Sequence, residues 1–365
     1  MKNTRTLALH DFGQRLWLDN ITRQLLQSGT LARYIHDLSV TGLTSNPTIF
    51  EHAIATGTLY DESIRVLTAA GLSGETLFVE LALEDLTQAA ELFRPIFEES
   101  HGTDGWVSLE VSPLLAHDAA RTIDAAARLH AQAACANLLI KIPGTPEGLS
   151  AIEQSIFAGI PVNVTLLFSC DQYLAAAHAY MRGLERRLAM GLDLKVGSVA
   201  SLFVSRWDVA ADKANLSPFR NRLGIAIATR AYMAYRELLL SERWKKLQAA
   251  GAVPQRLLWA STGTKDPVAP DTLYVEALAA EGTIDTIPEQ TLLAFADHGN
   301  VSGTLLAKTS YAEEIIATFR HGGLDDEQLA AKLQVEGVAG FSKSWRAILA
   351  RIAEKSKPVA PTVFA

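Results

Sequence analysis

Lys141 closes the apolar run Asn137-Leu-Leu-Ile-Lys-Ile, and Pro143-Gly-Thr-Pro follows at once. A short apolar run ended by turn residues reads as a buried parallel strand. An amine in that position faces a dry interior that disfavours its charged form. A neutral amine is the nucleophile that Schiff-base chemistry requires. The other reading of the segment is a lysine that snorkels its charge out past the strand end.

Residues able to complete such chemistry stand at the ends of other apolar runs. Asp19 closes Leu16-Trp-Leu-Asp, where capping of the following helix is the alternative. Glu110 lies in Trp106-Val-Ser-Leu-Glu-Val, just before the lysine's own strand; it suits either proton transfer or a salt bridge to Lys141. Asn46 precedes Pro47, and a turn-forming asparagine explains it locally. Asn163 and Thr165 are two apart on one strand and so face the same side, to line a cavity or to pair with each other. Ser201 and Phe203 lie toward the end of another run with Arg206 just after it, and Ser261 closes a further one with Lys265 beyond. Arg206 and Lys265 suit a phosphate, with surface charge as the plain alternative. The set comprises two carboxylates, one amine and several neutral hydrogen-bonding groups, with cations on one side.

The elements that must position them alternate. Strands are predicted at Arg15–Asp19, Val40–Ser45, Trp106–Val111, Asn137–Ile142, Pro161–Leu167, Lys195–Val204, Arg256–Ser261 and Thr283–Ile287. Several are continuously apolar, as in a parallel sheet covered on both faces. Between them lie helix signals. Ser169 with Gln172 forms a capping-box pattern, and Thr145 followed by Pro146 is an N-cap with proline at the first helical position. Ile225, Ala228, Tyr232, Tyr235 and Leu239 make a helical stripe, and Arg230, Arg236, Arg243, Lys245 and Lys246 beside it read as a solvated face. Eight strands alternating with helices, without a glycine-rich dinucleotide fingerprint, predict a (β/α)8 TIM barrel with additional helices. The chain is expected to form a single domain over residues 1–365, with the helical surplus at 49–105 and 289–365.

Composition narrows the function further. A net charge of −7 over 365 residues disfavours a general nucleic-acid binder, so any anion site must be local. Cys135 and Cys170 sit in apolar stretches and suggest neither a disulfide framework nor a zinc site. The nine histidines show no metal-binding spacing. There is no P-loop and no nucleophile elbow. No segment reads as a signal peptide or a membrane span, so a soluble cytoplasmic protein is expected.

The ordered motifs Thr44-Ser-Asn-Pro-Thr-Ile-Phe, Lys141-Ile-Pro-Gly-Thr-Pro-Glu-Gly, Asn163-Val-Thr-Leu-Leu-Phe-Ser, Ser198-Val-Ala-Ser-Leu-Phe-Val-Ser-Arg-Trp-Asp and Leu258-Trp-Ala-Ser-Thr-Gly-Thr-Lys closely resemble the transaldolase family. The likeness runs from about Asp19 to Pro288, and the C-terminal helices resemble the longer bacterial form. It implies a class I aldol transfer without metal or cofactor. Sedoheptulose 7-phosphate and glyceraldehyde 3-phosphate would exchange a dihydroxyacetone unit, giving erythrose 4-phosphate and fructose 6-phosphate. The resemblance implies Lys141 as the Schiff-base residue, Asp19 and Glu110 as proton carriers, and Thr165 as the group that orients a water beside Glu110. Asn46, Asn163 and Ser201 would hold hydroxyls, Phe203 would wall the mouth, and Arg206, Ser261 and Lys265 would hold phosphate. One position departs from the shorter family members: Gly263 stands where they place an arginine, and Lys265 is expected to replace it. The partners implied are small sugar phosphates, with no nucleic acid and no membrane, and a homodimer is left open. The competing readings are a fructose 6-phosphate aldolase of the same barrel type and a metal-free sugar-phosphate isomerase.

Overall fold

The computed structural model describes residues 2–214, 220–301, 305 and 309–357. Eight strands pair in parallel, each with its sequence neighbours, and the last returns to the first to close a barrel. They are β1 (Arg15–Asp19), β2 (Val40–Thr44), β3 (Val107–Glu110), β4 (Leu138–Pro143), β5 (Val162–Leu167), β6 (Ser198–Phe203), β7 (Arg256–Ala260) and β8 (Ile284–Ile287). All eight coincide with the predicted runs to within three residues at either end. The largest difference is at β6, predicted from Lys195. There the Val196 carbonyl accepts a hydrogen bond from the Tyr180 hydroxyl at 3.0 Å, so a helix holds the lead-in up to Gly197, whose carbonyl is the first to accept from β5.

Side-chain alternation divides each strand between two environments. Trp17, Leu139, Val199, Leu258 and Ile284 point inward and pack together with Trp106 as an apolar plug in the barrel. The next inward positions along those strands are Asp19, Lys141, Ser201, Ala260 and Thr286, so the interior turns polar toward the C-terminal ends. This layering leaves one end of the barrel to packing and the other to chemistry. Gly42 is required by the plug. A Cβ there would lie 2.5 Å from the Trp17 indole, closer than real carbon contacts allow.

Outward-facing residues pack under the surrounding helices. Helix ends follow the local signals: Ser169 and Gln172 form the reciprocal capping box, and Thr145 caps Pro146–Phe157 through the Gly148 amide. The surplus between β2 and β3 forms helices Pro47–Thr56, Asp61–Ala69 and Gly74–Glu99. After β8 come Glu289–His298, Thr309–His321 and the 30-residue helix Asp326–Lys355. The expected C-terminal addition ran to residue 365, and 358–365 lie outside the described residues.

Asp326–Lys355 packs on Pro47–Thr56 and Gly74–Glu99, and so joins the two additions. The Gln334 amide donates to the carbonyls of Gly144 and Leu166, both at 3.0 Å, which ties this helix to the loop ends of β4 and β5. Arg230 pairs with Glu313 and Asp326 on the C-terminal helices. That part of the basic cluster is therefore a tie between helices rather than a solvated face.

Candidate active site

A cavity of about 570 Å³ opens at the C-terminal ends of the strands. Nine of the eleven predicted site residues line it: Asp19, Asn46, Lys141, Thr165, Ser201, Phe203, Arg206, Ser261 and Lys265. The other two stand directly behind the lining. Register places Glu110 opposite Lys141 and Lys141 opposite Asn163, so three adjacent strands present one row of polar groups.

Lys141 is buried rather than snorkelled. Its ammonium lies 2.8 Å from Glu110 Oε1 and donates to the Ser45 carbonyl at 2.7 Å. Burial pushes the Glu110 carboxyl up to about 7, against the opposing pull of Lys141. A carboxyl in that range beside an amine can take up and return a proton at neutral pH. Burial also raises the Asp19 carboxyl, while Lys141 and hydrogen bonds from Thr44 and Asn46 oppose the rise. Those bonds measure 2.9 and 3.3 Å. Asp19 does not cap the following helix, because Thr22 does so through the Leu25 amide. Asn46 keeps its local role, capping Pro47–Thr56 through the Ile49 amide, while its amide group also reaches Asp19.

Asn163 and Thr165 do not pair with each other. Asn163 donates to Ser108 Oγ at 3.1 Å and accepts from Ser201 at 2.7 Å, which fixes Ser201 at the cavity wall. Thr165 Oγ1 is buried without a hydrogen-bond partner among the described residues. The pairing of β5 with β6 shifts after Val164, and Leu166 adopts φ +60° there. A bulge with a left-handed leucine is a strained conformation, of the kind found where a strand must re-aim a side chain.

The cationic side is built by two loops. The Arg206 guanidinium lies 5.0 Å from the Phe203 ring centroid and 5.9 Å from that of Phe168. Stacking of this kind holds the planar cation in place while leaving its donors free. The Lys265 ammonium lies 3.6 Å from where a Cβ on Gly263 would stand. The lysine head thus occupies the space into which a side chain at 263 would grow. Ser261 joins this loop to the other one, since its hydroxyl lies 2.9 Å from that of Ser205.

Five participants were outside the predicted set. The Ser45 carbonyl holds Lys141, Ser108 orients Asn163, Thr286 meets Thr44 at 2.6 Å behind Asp19, and Phe341 lines the mouth from the C-terminal helix. Phe341 follows the last strand by more than fifty residues. The available sign in that helix was its pair of interior glycines, Gly337 and Gly340, since a glycine inside a helical pattern often marks close packing, and only the first of them is closely packed. A Cβ on Gly337 would lie 2.9 Å from Leu166 and 3.3 Å from the Arg206 guanidinium.

A second cavity of about 620 Å³ lies at the opposite end of the barrel, around Arg15, Asp104 and Arg256. Within it Arg15 pairs with Asp104, and Arg256 donates to the carbonyls of Thr103 and Thr283. Among the described residues no helix is long and apolar enough to cross a membrane.

The family model for transaldolase/fructose-6-phosphate aldolase matches residues 16–352, a span that holds the barrel from the second residue of β1 onward and the whole cavity lining. The chain belongs to the transaldolase/fructose-6-phosphate aldolase family. Relatives named transaldolase share its full length. That of Saccharopolyspora erythraea is 44% identical, covering 97% of this chain and 98% of its own. That of Thermobifida fusca is 45% identical, with 95% and 97% covered. Transaldolase 2 of Nostoc punctiforme is 40% identical, with 99% and 100% covered. The family match extends beyond Pro288, where the sequence motifs stop, and includes the helix that supplies Gly337 and Phe341.

Proposed function

We propose that this chain is a transaldolase, moving a dihydroxyacetone unit from sedoheptulose 7-phosphate to glyceraldehyde 3-phosphate through an imine on Lys141. The observation that carries the reading is the buried Lys141–Glu110 pair at 2.8 Å, set in a cavity whose far wall holds Arg206 and Lys265. Transfer of the ammonium proton to Glu110 frees the amine to attack the ketose C2 carbonyl. Glu110 then returns a proton, through a water oriented by Thr165, to the carbinolamine hydroxyl, which leaves as water. The resulting iminium draws electrons from the C3–C4 bond. Asp19 takes the C4 hydroxyl proton, the bond breaks and the aldose leaves. The enamine left on Lys141 adds to the second aldehyde, and the same steps run in reverse to release the new ketose.

Asn46, Asn163 and Ser201 are assigned to the hydroxyls of the tethered intermediate, and Arg206, Ser261 and Lys265 to the phosphate. The proposal includes sugar phosphates as the partners, a cytoplasmic setting and one barrel domain across the chain. The closed strand order and the ties from Gln334 to the barrel loops support the single domain. Phe203 at the mouth favours transfer over the simple cleavage of a fructose 6-phosphate aldolase, because its ring has no proton to give the enamine.

Borohydride reduction in the presence of fructose 6-phosphate, read by mass spectrometry, tests the imine. Wild-type protein should gain a three-carbon adduct on Lys141, and Lys141→Met should gain none. An adduct persisting in the variant would place the nucleophile elsewhere. Turnover without any adduct would favour an isomerase with Glu110 as base.

A further inference from the structure

Asp285 is a buried carboxylate that the reaction above does not use. It lies on β8 between the inward residues Ile284 and Thr286, and so faces away from the cavity, fully buried. Its Oδ1 accepts a hydrogen bond from Thr262 Oγ1 at 2.8 Å, while Oδ2 has no partner among the described residues. Thr262 is itself fully buried and makes a weaker second contact, 3.4 Å, to the Thr286 carbonyl.

Thr262 stands between Ser261 and Gly263, in the loop that carries the cationic wall. Ser261 adopts φ +58°, a left-handed conformation that a serine does not hold without support. Support comes from two directions. On one side, the Ser205 amide donates to the Ser261 carbonyl at 3.1 Å and the two hydroxyls meet at 2.9 Å. On the other, the shorter tie is Thr262 to Asp285 at 2.8 Å, beside the 3.4 Å contact of the same hydroxyl to the Thr286 carbonyl. Removing that tie frees one flank of a strained turn while leaving Lys141, Glu110 and Asp19 untouched.

We infer that Asp285 is a positioning residue, holding the Ser261–Lys265 turn from behind in the geometry that grips the substrate's phosphate. The inference rests on the reading of that turn as the phosphate site. Burial raises the Asp285 carboxyl to about 7, so below that pH it stands there largely as a neutral acid and adds little repulsion toward a phosphate.

Borohydride trapping on Lys141 separates phosphate grip from imine chemistry when fructose 6-phosphate is compared with free dihydroxyacetone, which carries no phosphate. In Asp285→Ala, half-maximal trapping should need about tenfold more fructose 6-phosphate, with the dihydroxyacetone requirement unchanged. Thr262→Val should reproduce this from the other end of the bond, and serves if the alanine variant fails to fold. Asp285→Asn, whose amide oxygen still accepts from Thr262, should restore wild-type behaviour. Equal shifts for both ketoses, or no shift for fructose 6-phosphate, would overturn the inference. Wild-type protein that traps neither ketose would overturn the imine itself, and the positioning role with it.

Discussion

Phe203 shows how much of the outcome can hang on one atom. Its ring walls the cavity and stacks against Arg206, so it excludes water and steadies the cation at once. Phe203→Tyr keeps the ring and adds a hydroxyl at the mouth, where it can deliver a proton or a water to the enamine. Free dihydroxyacetone released per ketose consumed should rise several-fold, measured with and without erythrose 4-phosphate as acceptor; unchanged partitioning would remove Phe203 from the control of transfer. Single residues were also where sequence reading went furthest. Asp19 ends an apolar run and Lys141 and Ser201 interrupt the later part of theirs, and a polar residue toward the end of a buried strand has few other reasons to be there. Ser45 and Ser108 were harder to read. One acts through a main-chain carbonyl and the other through a hydroxyl behind the wall, and neither leaves a mark in residue type.

Between β7 and β8 the tie from Thr262 to Asp285 also bears on stability. An aspartate whose folded-state pKa is raised is at no disadvantage below its unfolded value, and loses stability as pH rises toward the folded one. For Asp285 that window runs from the ordinary carboxylate range to about 7. Asp285→Asn leaves a similar polar position unpaired but cannot ionise. The variant should therefore match wild type near pH 4, gain progressively up to pH 7 and hold a constant advantage above it. The full shift corresponds to ~4 kcal/mol. Denaturant midpoints across pH 4–9 measure this, and a gain already present at pH 4 would contradict it. The strands were legible because parallel strands under helices are rich in apolar residues, several of them in continuous runs, between turn and helix signals. The β5 bulge was not, since Leu166 is apolar either way and its left-handed conformation is set by neighbours distant in sequence.

The whole molecule is closed by the helix Asp326–Lys355, which lies over the loop ends of β4 and β5 and brings Phe341 to the mouth. Gly337 lets it approach Leu166 and Arg206, so Gly337→Val should push the helix or the guanidinium aside. KM for fructose 6-phosphate should rise about tenfold with Lys141 trapping by dihydroxyacetone retained, and steady-state kinetics beside borohydride trapping would check it. Sequence patterning could announce this helix but not where it docks, because its anchor is one glutamine meeting two carbonyls nearly 170 and 190 positions earlier. That arrangement has a consequence for synthesis. All eleven residues assigned to the reaction have left the ribosome before Gln334 and Phe341 are made. A nascent chain can thus hold a complete set of reacting groups under an open roof, where water reaches the enamine and the sugar fragment is lost. Transfer in preference to loss of the fragment is therefore expected to depend on the docking of this last long helix.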